Sequence, residues 1–111
     1  MKKFIAGLLM VPCVASAEFW TGNKLLTHMQ GSNMDQVQAY GYVMGVFDTA
    51  AGVDHCGQGA GNVTVGQIND IAKQYLEQNP SIRHFSADLL VRAAFARTWP
   101  CPKDNRKGKG V

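Results

Sequence analysis

Three neighbouring residues of the 111-residue chain, Asp54-His55-Cys56, are of the types that nucleophilic catalysis uses. They offer a thiol, an imidazole to take its proton and a carboxylate to orient the imidazole. Such a thiol must be free and have its pKa lowered by its partner, and adjacency along the chain does not aim three side chains at one another. Cys56 also has a ready partner in Cys101, so a structural disulfide outweighs the catalytic reading. Metal ligation has less behind it. His28, His55 and His84 share no ligand spacing, each is expected at the surface or on a rim, and neither a metal nor another cofactor is expected. The run Gly57-Gln58-Gly59-Ala60-Gly61 has the glycines of a phosphate-cradling loop but neither a preceding strand nor a following Lys-Ser or Lys-Thr. Glycine here permits tight turns beside the cysteine. A second reading makes Gly57, Gln58, Gly59, Gly61 and Asn62 a pliable loop that enters a partner's cleft. Asn62-Val63-Thr64 matches the glycosylation sequon, which is idle if Thr64 caps a helix behind a bacterial-type export signal.

The elements that hold these residues follow a simple order. Lys2 and Lys3, the apolar run Phe4 to Val14 and Ala15-Ser16-Ala17 form an export signal cleaved after Ala17. That apolar run is too short to span a bilayer, so no stable membrane insertion is expected once it is removed. Cys13 raises a lipoprotein signal, but the proline of Met10-Val11-Pro12 displaces the small residue such a signal needs. The mature chain, residues 18–111, then resides in the periplasm with two cysteines, Cys56 and Cys101, which reads as one disulfide. Closing the span between them is worth at most about 4 kcal/mol of lost chain entropy in the unfolded state.

The formal charge of +3 is mostly terminal. Lys2 and Lys3 leave with the signal, and Lys103, Arg106, Lys107 and Lys109 stand against Asp104 in a disordered basic tail, 103–111. The body, residues 18–102, is slightly acidic and gives no support for nucleic-acid binding.

Within that body Asp35 to Gly52 forms the central helix. Val37, Tyr40, Met44 and Phe47 recur at helical spacing, widened by Tyr42, Val43 and Val46. Gly41 and Gly45, four apart, predict a flat strip where another helix backbone packs closely. Thr21 or Asn23 caps a short first helix through Leu25, Leu26 and Met29, and Ser32 or Asn33 caps the central one. Thr64 and Gln67 make a capping box for a third helix with Ile68, Ile71, Ala72, Tyr75 and Leu76 on one face, ended by Asn79-Pro80. Ser86 caps a fourth, with Asp88 in its first turn and Leu89, Leu90, Ala93, Ala94 and Phe95 on its apolar side. No alternating strand pattern, repeat or second domain appears. The fold class is all-α: a small bundle of four helices, or slightly more, stapled by one disulfide.

Five segments in order carry a resemblance. They are Phe19-Trp20-Thr21-Gly22-Asn23 with Leu25-Leu26; Gly41 to Asp48; Cys56; Val63 to Gln67 leading to Tyr75-Leu76 and Pro80; and Arg83-His84 with Ala87, Leu90-Val91, Ala94 and Pro100-Cys101. This set resembles the Rap/Tai family, periplasmic immunity proteins that protect bacteria from the peptidoglycan amidases of type VI secretion. The resemblance implies an all-helical, often dimeric, non-enzymatic protein that occludes an amidase cleft with a loop. Its partners would be a cognate peptidoglycan amidase effector and, as a homodimer, a second copy of itself. The family pattern has two further cysteines where this chain has Met29 and Ala39, and a proline where it has Gly57. An alternative of another class is a small periplasmic helper or chaperone with no toxin partner. Only 17% of the residues are charged, few for acid-triggered unfolding.

Overall fold

A computed structural model of the protein describes residues 19–59 and 61–103. The expected export signal, Glu18, Ala60 and the tail beyond Lys103 lie outside the described residues. The chain forms four helices: α1 (Gly22–Met29), α2 (Asn33–Ala50), α3 (Val65–Gln78) and α4 (Ala87–Thr98). Single 3-10 turns occupy Gly57–Gly59 and Pro80–Ile82. Among the described residues there is no strand, only the isolated bridges Thr21–Ser86 and Ala51–His55.

Helix starts follow local chemistry. The Thr21 hydroxyl accepts the Lys24 N–H at 3.1 Å. At α2 the Ser32 hydroxyl accepts the Asp35 N–H and the Asp35 carboxylate accepts the Ser32 N–H, both at 3.2 Å. Thr64 and Gln67 exchange the same pair of bonds at 2.8 and 3.1 Å. Each box satisfies two amides that a helix start leaves without partners. Ser86 departs from expectation, because its side chain makes no capping bond. The backbone takes over: the Ala87 N–H donates to the Trp20 carbonyl at 2.8 Å, and Gly22 and Asn23 donate to the Phe85 and Arg83 carbonyls. The aromatic lead-in is thereby sewn to the connection before α4.

Each helix touches the other three, and their inward faces meet in one core. Leu25 and Leu26 of α1, Val43 and Phe47 of α2, Ile68, Ala72 and Leu76 of α3, and Leu90, Val91 and Phe95 of α4 form it. Phe95 is fully buried and meets Phe47 edge to face at 5.2 Å. Close approach of α1 needs glycine. A Cβ on Gly22 would stand 2.5 Å from Leu90 Cδ1 and 3.0 Å from the Arg83 carbonyl oxygen.

Two expectations for apolar faces are corrected. The buried side of α2 consists of Ala39, Val43, Val46, Phe47 and Ala50, while Val37 is 65% and Tyr40 44% exposed. Nothing lies within 4 Å of a Cβ placed on Gly41 or Gly45, so the glycine strip packs against no part of its own chain. Apolar residues surround α2 nearly completely, and spacing alone could not say which arc the other helices cover. In α4 the inward residues are Ala87, Leu90, Val91, Ala94 and Phe95, whereas Leu89 is 61% exposed.

Gly22→Ala is expected to lower the unfolding free energy by roughly 1–3 kcal/mol, the usual range for overpacking. Urea denaturation of the mature protein followed by circular dichroism measures it. An unchanged midpoint would show that α1 shifts without cost.

Candidate functional site

The connection from α2 to α3 is built from its inner edge outward. Helix α2 stops at Ala50; Ala51 is extended and Gly52 adopts φ 80°. That region is natural for glycine, and it turns the chain back over the helix end. The Ala50 carbonyl accepts the N–H groups of Val53 and Asp54, and Gly52 donates to the His55 carbonyl at 2.7 Å.

His55 is fully buried, not at a surface or rim as expected from the sequence. Its ring lies 4.4 Å from Phe47, 5.3 Å from Phe95 and 6.4 Å from Trp99, centroid to centroid. Nδ1 is 2.9 Å from the Gly57 backbone nitrogen and Nε2 is 2.8 Å from the Phe47 carbonyl oxygen. A backbone N–H can only donate, so Nδ1 is the acceptor and Nε2 carries the hydrogen. The imidazole is thereby neutral and stitches a helix-end carbonyl to the loop.

The residues of the apparent triad go three ways. Cys56 is bonded to Cys101, with Cα atoms 4.9 Å apart, and its N–H donates to the Trp99 carbonyl at 2.8 Å. His55 faces the core. Asp54 accepts from Arg92 Nη1 at 2.7 Å, while Arg92 Nε donates to Asp88 at 2.9 Å. Hydrogen bonds to Asp88 first and then Asp54 raise the Arg92 pKa. Beside this brace Tyr42 has its pKa raised, first by burial and then by the Asp88 charge. Tyr42 stacks on Trp20 at 5.2 Å, and Trp20 on His28 at 4.4 Å. The described residues therefore hold no free thiol and no group of three or more His, Cys, Asp or Glu placed to bind a metal ion.

The glycine-rich loop divides. Gly57 packs inward; a Cβ there would meet Phe47 Cε1 and Trp99 Cε3 at 3.0 Å each. Gln58, Gly59, Gly61 and Asn62 are exposed, and Gly61 has φ 87°. Val63, half-buried against the core, begins the return to α3. Of the five residues expected to form a partner-entering loop, Gly57 is thus a foundation, and the other four form an outer edge free of packing. The other connection, 79–85, is pinned at Arg83, whose Nη1 donates to the Leu76 carbonyl at 3.3 Å at the end of α3. Between α3 and α4 lies a shallow groove of about 260 Å³ lined by Gln74, Tyr75, Gln78, Asn79 and Arg97, with the Arg97 guanidinium 5.8 Å over the Tyr75 ring.

The sequence model of the Rap1a immunity proteins matches residues 21–101. The chain belongs to the Rap1a immunity protein family. No curated protein matches it. The matched span opens at the Thr21 cap and closes at Cys101, so it takes in all four helices, the disulfide and the divided loop. Membership in an immunity family implies a partner effector. No helix among the described residues is long and apolar enough to cross a membrane. Sequence reasoning missed the buried imidazole of this Rap1a-type chain, because its two partners are a carbonyl eight residues earlier and an amide two residues later.

His55→Phe preserves an aromatic ring but removes both hydrogen bonds, leaving the Phe47 carbonyl and Gly57 N–H buried without partners. A loss on the order of 3 kcal/mol is expected. Thermal unfolding of the oxidised protein tests this. A variant as stable as the parent would show that water replaces the imidazole.

Proposed function

We propose that this protein is a periplasmic immunity protein that binds a peptidoglycan amidase effector of type VI secretion and blocks it by filling its active-site cleft. Family membership carries the immunity part. The cleft-filling part rests on the divided loop, whose inner edge is tied down at His55, Cys56 and Gly57 while Gln58, Gly59, Gly61 and Asn62 stand free. A loop held ready in this way loses less entropy on binding than a floppy one. The protein performs no chemistry of its own in this reading. Its export signal, cleaved after Ala17, delivers the domain to the compartment where the amidase acts.

The test is co-expression with the amidase encoded beside its gene, directed to the periplasm. Wild-type protein is expected to prevent lysis. Gln58→Arg combined with Asn62→Glu is expected to weaken inhibition of the purified amidase by about tenfold or more, equivalent to about 1.4 kcal/mol, with an unchanged melting temperature. Ser81→Arg with His84→Glu, in the other connection, serves as the parallel arm. Lysis unaffected by the wild-type protein would overturn the immunity reading and favour a helper with no toxin partner. Protection that survives both pairs of changes would move the contact to a helix face.

A further inference from the structure

Two helix stripes meet at the groove between α3 and α4. Ile71, Gln74, Tyr75 and Gln78 recur at three- and four-residue spacing on α3, and Ala94, Arg97 and Thr98 do so on α4. Ala94 is buried and Ile71 half-buried, so the inner part is apolar; the rest of the lining is polar, and no acidic residue contributes to it. The side-chain amides of Gln74 and Gln78 and the Tyr75 hydroxyl have no hydrogen-bond partner among the described residues. Arg97 forms no ion pair there, and its guanidinium lies over the Tyr75 ring. Two further groups are half used. Asn79 Nδ2 donates to the Tyr75 carbonyl and the Thr98 hydroxyl to the Ala94 carbonyl, both at 2.8 Å, which leaves Asn79 Oδ1 and Thr98 Oγ1 able to accept.

We propose that this groove binds the carboxylate end of a short peptide with small side chains. A guanidinium meets a carboxylate through two parallel N–H donors, which gives Arg97 its role. The amides of Gln74 and Gln78 can each exchange a donor and an acceptor with a peptide group. The acceptors at Asn79 and Thr98 suit the N–H groups of a peptide, which a phosphate or sulfate ion lacks. A volume of about 260 Å³ lies just below the range of roughly 300–1,000 Å³ that takes a drug-sized ligand, which limits the ligand to a few small residues.

The position needs one compensation, and the chain supplies it. The groove reaches the last turns of α3 and α4, where the negative end of a helix macrodipole disfavours an anion. The carbonyls at those ends are already met by donors: Tyr75 by Asn79, Leu76 by Arg83, Ala94 by Thr98 and Phe95 by the Trp99 N–H. Arg97 itself stands in the last turn of α4, so a positive charge waits where the carboxylate arrives. In the periplasm the cell wall supplies short peptides that end in a free D-alanine carboxylate. That choice of source rests on the location proposed above; the carboxylate preference of the groove does not.

Amide chemical shifts of the oxidised mature protein, followed by NMR during titration with N-acetyl-D-alanyl-D-alanine, test this. Saturable shifts at Gln74, Tyr75, Gln78 and Arg97 are expected, with a dissociation constant of about 1 mM. The same probe with its carboxylate converted to a carboxamide should bind at least about tenfold more weakly. Arg97→Gln should weaken the acid by a similar factor and leave the carboxamide unaffected, while Gln78→Ala should weaken both. Arg97 and Gln78 are exposed, so both variants should keep the helical circular dichroism of the parent. No saturation by about 10 mM overturns the proposal. Equal binding of acid and carboxamide does so too, as do shifts that persist in Arg97→Gln or inorganic phosphate that binds as tightly as the peptide. An L-alanyl-L-alanine probe that binds more tightly than the D form keeps the carboxylate site and overturns the cell wall as its source. None of these outcomes depends on whether the protein protects against an amidase.

Discussion

An imidazole closed off from solvent holds the end of α2 to the loop that follows it. When a helix stops, its last carbonyls have no amide partners within the helix. Here the Ala50 carbonyl is met by two backbone N–H groups and the Phe47 carbonyl by His55 Nε2. Because Nδ1 then accepts from Gly57, one ring satisfies groups on both sides of the turn. Both bonds lie in a low-dielectric cage of Phe47, Phe95 and Trp99, where a lost partner is costly.

The rest of that pole is assembled around this ring. Cys56 follows His55 directly, so placing the imidazole also places the sulfur and the N–H that reaches Trp99 at the end of α4. Asp54 precedes it and meets Arg92, which also holds Asp88 in the first turn of α4. Three successive residues thus tie one helix end to the core, to a disulfide and to an ion pair. At the opposite pole the Trp20-Thr21-Gly22 segment is hydrogen-bonded to the connection before α4, and the absence of a Cβ on Gly22 lets the chains meet. With both ends of the bundle tied, a small domain needs less from its core, which at this size buries a modest share of its surface.

Legibility in the sequence followed the range of the interaction. The Thr64/Gln67 box and the Thr21 and Ser32 caps lie within three residues of their targets; position and chemistry identify the first and narrow the other two to a pair of candidates each, while the Asp35 half of the Ser32 box went unread. The disulfide followed from counting the cysteines left once an export signal is taken to be removed. Ser86 has the right type for a cap, but the Trp20 carbonyl, far away in sequence, takes the amide at that helix start. The rotation of α2 was hidden because Val37 and Tyr40 are as apolar as Val43 and Phe47, and only the neighbouring helices distinguish them. His55 looked like a surface histidine because its partners are backbone groups, which no residue type announces.

The division of the loop bears on the ordering cost of the contact proposed for it. Fixing a residue's backbone costs about 1–2 kcal/mol, so a long free segment would lose much of its contact energy to ordering. Here Cys56 and Gly57 are fixed on one side and Val63 rests on the core on the other, leaving a short outer edge to order. Its exposed side chains include the uncharged amides Gln58 and Asn62, and each can donate and accept. An amide satisfies polar groups inside a cleft without the desolvation cost of a buried charge. Between them the Gly59 N–H donates to the Cys56 carbonyl at 3.3 Å and the Gly61 carbonyl accepts from the Val63 N–H at 2.9 Å, so the backbone itself ties down part of this edge. Because Gln58 and Asn62 take no part in the core, they can change while His55, Cys56 and Gly57 keep the frame.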